Sequence, residues 1–117
     1  MLKQDVGLFG EELAVQFLKE NGCKILDRNY RTRWGEIDVV ARYENIIIFV
    51  EVKTRSTVDF ARPWEAVGYR KRKHLKTAAR IYIQEHPNFG CEFRFDVLSI
   101  TLKESCEPDI EWIQQAF

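Results

Sequence analysis

Two stretches rich in β-branched and aliphatic residues, Glu36–Arg42 and Ile46–Arg55, are separated only by Tyr43-Glu44-Asn45. Such runs pack well on a pleated surface, and so short a polar break makes an antiparallel hairpin the most economical connection. The same runs carry Asp38, Glu51 and Lys53 where a buried strand is otherwise apolar. A carboxylate in that setting is costly unless a cation or hydrogen bonds compensate it. These three charges therefore constrain the fold and the chemistry together.

If the loop is the two residues Glu44-Asn45, facing residue numbers sum to 89, and Asp38 lies opposite Glu51. Opposed Cβ atoms are then ~5 Å apart, close enough for one ion to bridge both carboxylates. Glu51 and Lys53 share a face, because strand side chains repeat every two residues. A three-residue loop would instead set Ile37 against Glu51. Facing carboxylates repel unless positive charge lies between them. Lys53 is one source of that charge, and Mg²⁺, which takes carboxylates plus water, is another. Ordinary ion pairs with Lys53, Arg42 or Arg55 are the commoner explanation for any one acid taken singly. Taken together, the constellation suits phosphodiester hydrolysis. A bound metal lowers the pKa of water and stabilises charge on phosphorus, while an ammonium orients or deprotonates that water.

The chain has 117 residues, 45% hydrophobic and 13% aromatic, which indicates one folded domain, 1–117, rather than disorder. No apolar run approaches the ~20 residues that cross a bilayer, and the N-terminus is no signal peptide. Cys23, Cys91 and Cys106 are odd in number and lack CxxC spacing, as expected of buried or incidental thiols in a reducing cytoplasm rather than a zinc site or disulfide set. Eighteen basic and eighteen acidic residues cancel, but unevenly. Residues 1–103 hold 18 bases against 14 acids, and residues 66–84 hold six bases and no acid. Phosphate binding is thus compatible with overall neutrality.

Apolar spacing predicts a helix over Gly7–Glu20, with Leu13, Ala14, Phe17 and Leu18 as its stripe and Asn21-Gly22 as its stop. Cys23–Tyr30 reads as a strand, residues 31–35 as a turn, and Thr54–Arg62 as polar loop. Pro63-Trp64-Glu65 suits a helix start. Tyr69–Gln84 is a second helix, striped by Leu75, Ala78, Ala79, Tyr82 and Ile83. Phe93–Ile100 alternates like a strand, and Ile110–Phe117 fits either a short strand or a terminal helix. The order α-β-β-β-α-β implies an α/β fold with a mixed sheet flanked by helices.

On the first helix Glu11 aligns with Leu18 at the border of the buried stripe, whereas Glu12 points to solvent. Taken alone, Glu11 better suits an ordinary first-turn acid complementing the helix dipole; beside the hairpin acids it also suits a metal cleft. Glu36 is a reserve ligand or a partner for Arg31 or Arg33. Arg94 and Asp96 read as a structural pair. The run Arg70–His74, with Lys76 and Arg80, is either a solvated face or a phosphate-contacting surface. Arg28, Arg31 and Arg33 interleave with Tyr30 and Trp34, aromatics that suit stacking on unpaired bases, although Trp34 also fits a core position. His74 and His86 have no partner at metal-ligand spacing. No dinucleotide, Walker, serine-hydrolase or zincin motif occurs.

Gly10-Glu11-Glu12-Leu13-Ala14, Asn29-Tyr30-Arg31, Gly35-Glu36-Ile37-Asp38, Phe49-Val50-Glu51-Val52-Lys53-Thr54-Arg55 and Arg94-Phe95-Asp96-Val97 together resemble the YraN family of uncharacterised bacterial proteins. That family in turn resembles PD-(D/E)xK nucleases, especially archaeal Holliday junction resolvases with the restriction-endonuclease-like fold. The resemblance implies a Mg²⁺-dependent endonuclease, with Mn²⁺ as a substitute. Glu11, Asp38, Glu51 and the Val52 carbonyl would hold the metal, and Lys53 would handle the attacking water. Ile37 stands where the motif's proline would be. The resolvases act as dimers on four-way junctions, so a homodimer and branched DNA enter as expectations, with Arg31, Arg33, Lys71 and Lys73 as phosphate contacts. The rival expectation is a non-catalytic nucleic-acid- or partner-binding module that keeps the fold.

Overall fold

The computed structural model describes residues 3–56, 68–87, 92–104 and 106–117. Its elements run α1 (Lys3–Glu20), β1 (Lys24–Thr32), β2 (Gly35–Tyr43), β3 (Ile46–Ser56), α2 (Tyr69–Glu85), β4 (Glu92–Leu102) and β5 (Asp109–Ile113). The five strands form one mixed sheet in the order β1-β2-β3-β4-β5. This is the expected α/β arrangement with one strand added.

The loop between β2 and β3 is the two-residue one. Tyr43 pairs with Ile46, and the register continues through Val40↔Phe49 to Val39↔Val50. Glu44 makes the turn at φ +51, and Arg42 Nε donates to its carbonyl at 3.0 Å. β3 then pairs with β4 in parallel from Ile46↔Glu92 to Ser56↔Leu102, which requires a crossover connection containing α2. β5 closes the order antiparallel to β4.

Among the described residues, one helix packs on each face of the sheet. Ala14, Val15 and Leu18 of α1 pack on Val39, Ala41, Ile48, Val50, Leu98 and Ile100. Leu75, Ala78, Ala79 and Tyr82 of α2 pack on Val40, Ile47, Phe49 and Val97. Central strands buried on both faces read as nearly continuous apolar runs, which is why Ile46–Val50 is uninterrupted. α1 stops at Gly22, whose φ of +86 suits a glycine, with Cys23 N–H bonded to the Leu18 carbonyl at 2.9 Å.

Several boundaries differ from the sequence reading. α1 begins at Lys3 rather than Gly7, and the first turn is only Arg33-Trp34, so Arg31 and Thr32 belong to β1. Thr54–Ser56 is strand, not loop, because the parallel partner β4 extends alongside it. The ambiguous C-terminal segment is β5: Ile110 and Trp112 pack toward α1's face and Ile113 toward α2's, a two-residue alternation. The expected helix start at Pro63-Trp64-Glu65 and Cys91 lie outside the described residues. No helix among the described residues is long and apolar enough to cross a membrane.

Candidate active site

The β2–β3 ladder ends at Val39↔Val50, one step short of Asp38 and Glu51. At that point β2 loses its alternation: Val39 packs toward α1, yet Ile37, two residues away, packs toward α2. The skip falls on Asp38. Its carboxylate enters the gap between the strands, where Oδ2 accepts the Val52 N–H at 2.8 Å. In an extended strand the N–H and C=O of one residue face the same edge, so the Val52 carbonyl also faces this gap.

Glu51 is only 5% exposed, and two ammonium groups serve it. Lys71 Nζ lies 2.6 Å from Oε1, and Lys53 Nζ lies 3.5 Å from the same oxygen. Glu11, Asp38, Glu51, Val52, Lys53, Thr54 and Lys71 line one cavity of about 370 Å³. Glu11 reaches it because α1 crosses β3 closely at the preceding residue. A Cβ on Gly10 would stand 1.8 Å from Thr54 Oγ1, so only glycine permits this approach. With its amide turned to satisfy both neighbours, Asn29 donates to Glu36 Oε1 at 2.7 Å and to the Glu11 oxygens at 3.3 Å. That bridge, from a residue at φ +52, fixes Glu11 from β1's side.

Burial pushes the Asp38 carboxyl up to about 7, reinforced by the charges of Glu51 and Glu11 and opposed by the Val52 hydrogen bond and Lys71. Burial also lowers Lys53, helped by its hydrogen bond with Lys71, while Glu51 works the other way. For Lys71, burial lowers the value, but the hydrogen bond and charge of Glu51 outweigh it, and the net direction is upward. The opposite directions are physically consistent. Of two ammonium groups on one carboxylate, the nearer keeps its proton and the farther is the one disposed to lose it.

The donor set offers only oxygens, three carboxylates and a strand carbonyl, which in kind suits a hard divalent cation. Among the described residues, however, no three His, Cys, Asp or Glu side chains are drawn together into a finished metal cage. The Lys71 ammonium stands on Glu51 instead. The site thus accommodates positive charge as folded, and closing the carboxylates on a metal requires Lys71 to move aside.

The remaining expectations divide. Arg31 pairs loosely with Glu36 at 3.5 Å, which is the ion pair weighed against Glu36 as a ligand. Arg33 lies over the Trp34 ring at 4.9 Å, and Trp34 is 44% exposed, so it is not a core residue. Lys73 lines a different cavity, beside Trp34. Asp96 is fully buried and accepts hydrogen bonds from Arg94 Nε and Nη2, Trp112 Nε1 and Gln115 N at 2.7–3.0 Å, a structural arrangement. Glu12 is exposed and bonded to Arg28 at 2.7 Å. Two participants have no such role in the sequence reading: Asn29, and Lys71 as the cation on Glu51 rather than only a phosphate contact. Lys71 could have been found, since it precedes Leu75 by four and Ala78 by seven, in register with the buried stripe.

The model of the uncharacterised protein family UPF0102 matches residues 10–100, and the chain belongs to that family. It is 47% identical over 116 residues to a UPF0102 protein of Syntrophomonas wolfei, covering 99% of this chain and all of that one. It is 43% identical over 118 residues to a UPF0102 protein of Caldicellulosiruptor saccharolyticus, covering both chains fully. Among solved structures it is similar to Pyrococcus furiosus SfsA in complex with Ca²⁺, at 17% identity and a TM-score of 0.37. That alignment covers 91% of this chain and 60% of SfsA, a likeness too loose to carry an inference.

Proposed function

We propose that this member of UPF0102 is a Mg²⁺-dependent nucleic-acid phosphodiester hydrolase, an endonuclease acting on DNA, with Mn²⁺ able to substitute. One observation supports the reading above the others. Carboxylates from α1, β2 and β3 and ammonium groups from β3 and α2 line a single cavity where β2 and β3 separate. Glu11, Asp38, Glu51 and the Val52 carbonyl would hold the metal. When bound, the metal supplies Lewis acidity toward water and the phosphoryl oxygens.

This chain's own groups do the rest. Lys53, its ammonium disfavoured by burial, orients the attacking water and takes its proton at Nζ. Lys71, which retains its charge, turns from Glu51 to a phosphoryl oxygen as negative charge grows there. The basic residues Arg31, Arg33 and Lys73 contact flanking phosphates without reading sequence. The resolvase resemblance makes branched DNA and a homodimer the first substrate and assembly to test.

The test is incubation of the purified protein with labelled linear, flap and four-way-junction DNA and with RNA, in Mg²⁺, Mn²⁺ or EDTA. Metal-dependent product is expected from the wild type. Lys53→Ala should lose activity by ~100-fold or more while keeping its circular dichroism and DNA affinity. Wild-type cleavage by that variant removes Lys53 from the mechanism. Absence of metal-dependent product on every substrate favours the second reading, a non-catalytic binding module. The Lys71–Glu51 contact at 2.6 Å, which occupies a would-be ligand, speaks for that alternative.

A further inference from the structure

A second cavity, of about 560 Å³, opens between the β1–β2 turn and the first three turns of α2. Trp34, Tyr69, Arg70, Lys73, His74 and Thr77 line it. Its volume falls within the range of small-molecule sites. Two features set it apart from ordinary surface. Its aromatic rings are displayed rather than buried, Trp34 being 44% and Tyr69 81% exposed. Among the described residues its charged groups are cationic: Arg70 and Lys73 line it, and Arg33 caps the indole of Trp34 at 4.9 Å. Among the described residues no acid lines it. The start of β2 runs close to the helix here: a Cβ on Gly35 would stand 3.5 Å from the His74 Cβ.

Exposed aromatic rings interleaved with cations match one ligand chemistry closely. A nucleobase offers a flat π-face to stack on, and its attached phosphate offers the anion that Arg70 and Lys73 would take up. A duplex keeps its bases stacked on one another, so only an unpaired nucleotide can bring both groups at once. We infer that this cavity is a stacking site for one unpaired nucleotide of the substrate strand, held between Trp34 and Tyr69 with its phosphate on Arg70 and Lys73. The inference rests on the nucleic-acid reading of the first cavity and sharpens it to substrates with single-stranded character.

The two cavities are near neighbours along the chain. Trp34 precedes Asp38 by four residues, ~13 Å of extended strand. On α2, Lys71 faces the carboxylates while Arg70 and Lys73, on either side of it in sequence, face the aromatics. A strand leaving the stacked nucleotide would therefore reach the carboxylate cavity within a few nucleotides.

The test is fluorescence anisotropy of a labelled single-stranded oligonucleotide and a blunt duplex of the same length, both in EDTA so that no cleavage intervenes. The wild type should prefer the single strand. Trp34→Ala should weaken single-strand binding about tenfold more than duplex binding, the worth of one stacked base. Trp34→Phe should restore most of it. Tyr69→Ala, at a far more exposed position, should show the same selective loss without risk to folding. Arg70→Ala with Lys73→Ala should weaken both ligands and reduce the salt slope by about 2. Equal losses on the two ligands, or none, in both aromatic variants would overturn the stacking site. If the wild type cleaves DNA with metal yet shows no preference for unpaired strands, the stacking site fails and the nuclease reading survives. If it binds single strands through Trp34 and never cleaves, the stacking site stands alone. If it neither binds nor cleaves nucleic acid, both fall.

Discussion

Replacing Asp38 by Asn should stabilise the metal-free protein, and by an amount that grows with pH. Burial and the neighbouring acids raise this carboxyl from 3.8 to about 7. Over that interval the folded chain holds a proton that the unfolded chain has released, so stability falls as pH rises through it. This is the reverse of an ion-paired carboxylate, which loses stability on acidification. At 1.36 kcal/mol per pH unit, the charged form costs ~4 kcal/mol once both states are ionised. Asn has nearly the shape of the neutral acid, and its Oδ1 can still accept the Val52 N–H. Asp38→Asn should therefore match wild type near about pH 4 and exceed it by ~4 kcal/mol near about pH 8. For a chain of this size the gap corresponds to roughly 15–20 °C in Tm. Thermal and urea melts of both proteins in EDTA across that range measure it, and titrations common to the two cancel in the difference. A gap that stays flat with pH, or a variant less stable than wild type at the alkaline end, refutes the account of Asp38 as a strained acid.

Three further outcomes follow from the same geometry. Lys71→Met removes the cation nearest Glu51, so it should destabilise the metal-free fold by about 1–3 kcal/mol, between exposed and buried ion-pair values. The same variant should bind Mn²⁺ more tightly in calorimetry, because the competitor is gone; weaker binding would make Lys71 a supporter of the metal rather than its rival. Gly10→Ala should cost about 1–3 kcal/mol and weaken Mn²⁺ binding, since its Cβ drives α1 and Glu11 off β3, and adding Thr54→Ala should recover part of both. Arg94→Met leaves Asp96 buried without its bidentate partner and should cost ~3–5 kcal/mol in urea melts, while metal affinity below the transition is retained.

The hairpin was readable because composition left few choices. Glu44-Asn45 is the sole polar pair between two apolar runs, and every ladder pair from Tyr43↔Ile46 to Val39↔Val50 follows from it. The skip at Asp38 was not readable. It arises where β2 leaves β3 and Ile37 turns to the α2 face, a tertiary event that leaves no mark on local alternation. Thr54–Ser56 looked like loop because its residues are polar, yet a full-length parallel partner holds it in the sheet. Lys71 was lost among five consecutive basic or imidazole side chains, although its spacing to Leu75 and Ala78 already put it on the buried stripe. Charge density drew the eye to the run's outer face, whereas periodicity singled out the one lysine that turns inward.

The place where the sheet ladder stops ties stability to chemistry. Up to Val39↔Val50 the backbone groups of β2 and β3 satisfy one another, and apolar side chains cover both faces. One step further the Val52 N–H needs a partner, and a carboxylate supplies it. An acid there is poorly solvated and sits near Glu51 and Glu11, which is why its proton is held to about 7. Lys71 and Lys53 offset part of the negative charge but crowd a single oxygen of Glu51. A divalent cation would relieve the repulsion on Asp38 and free Lys71 in the same event. Metal affinity and fold stability should then be two readings of one free energy: any ion that raises Tm must lose that effect in both Asp38→Asn and Glu51→Gln. An ion that stabilises those variants as well as wild type binds elsewhere on the chain.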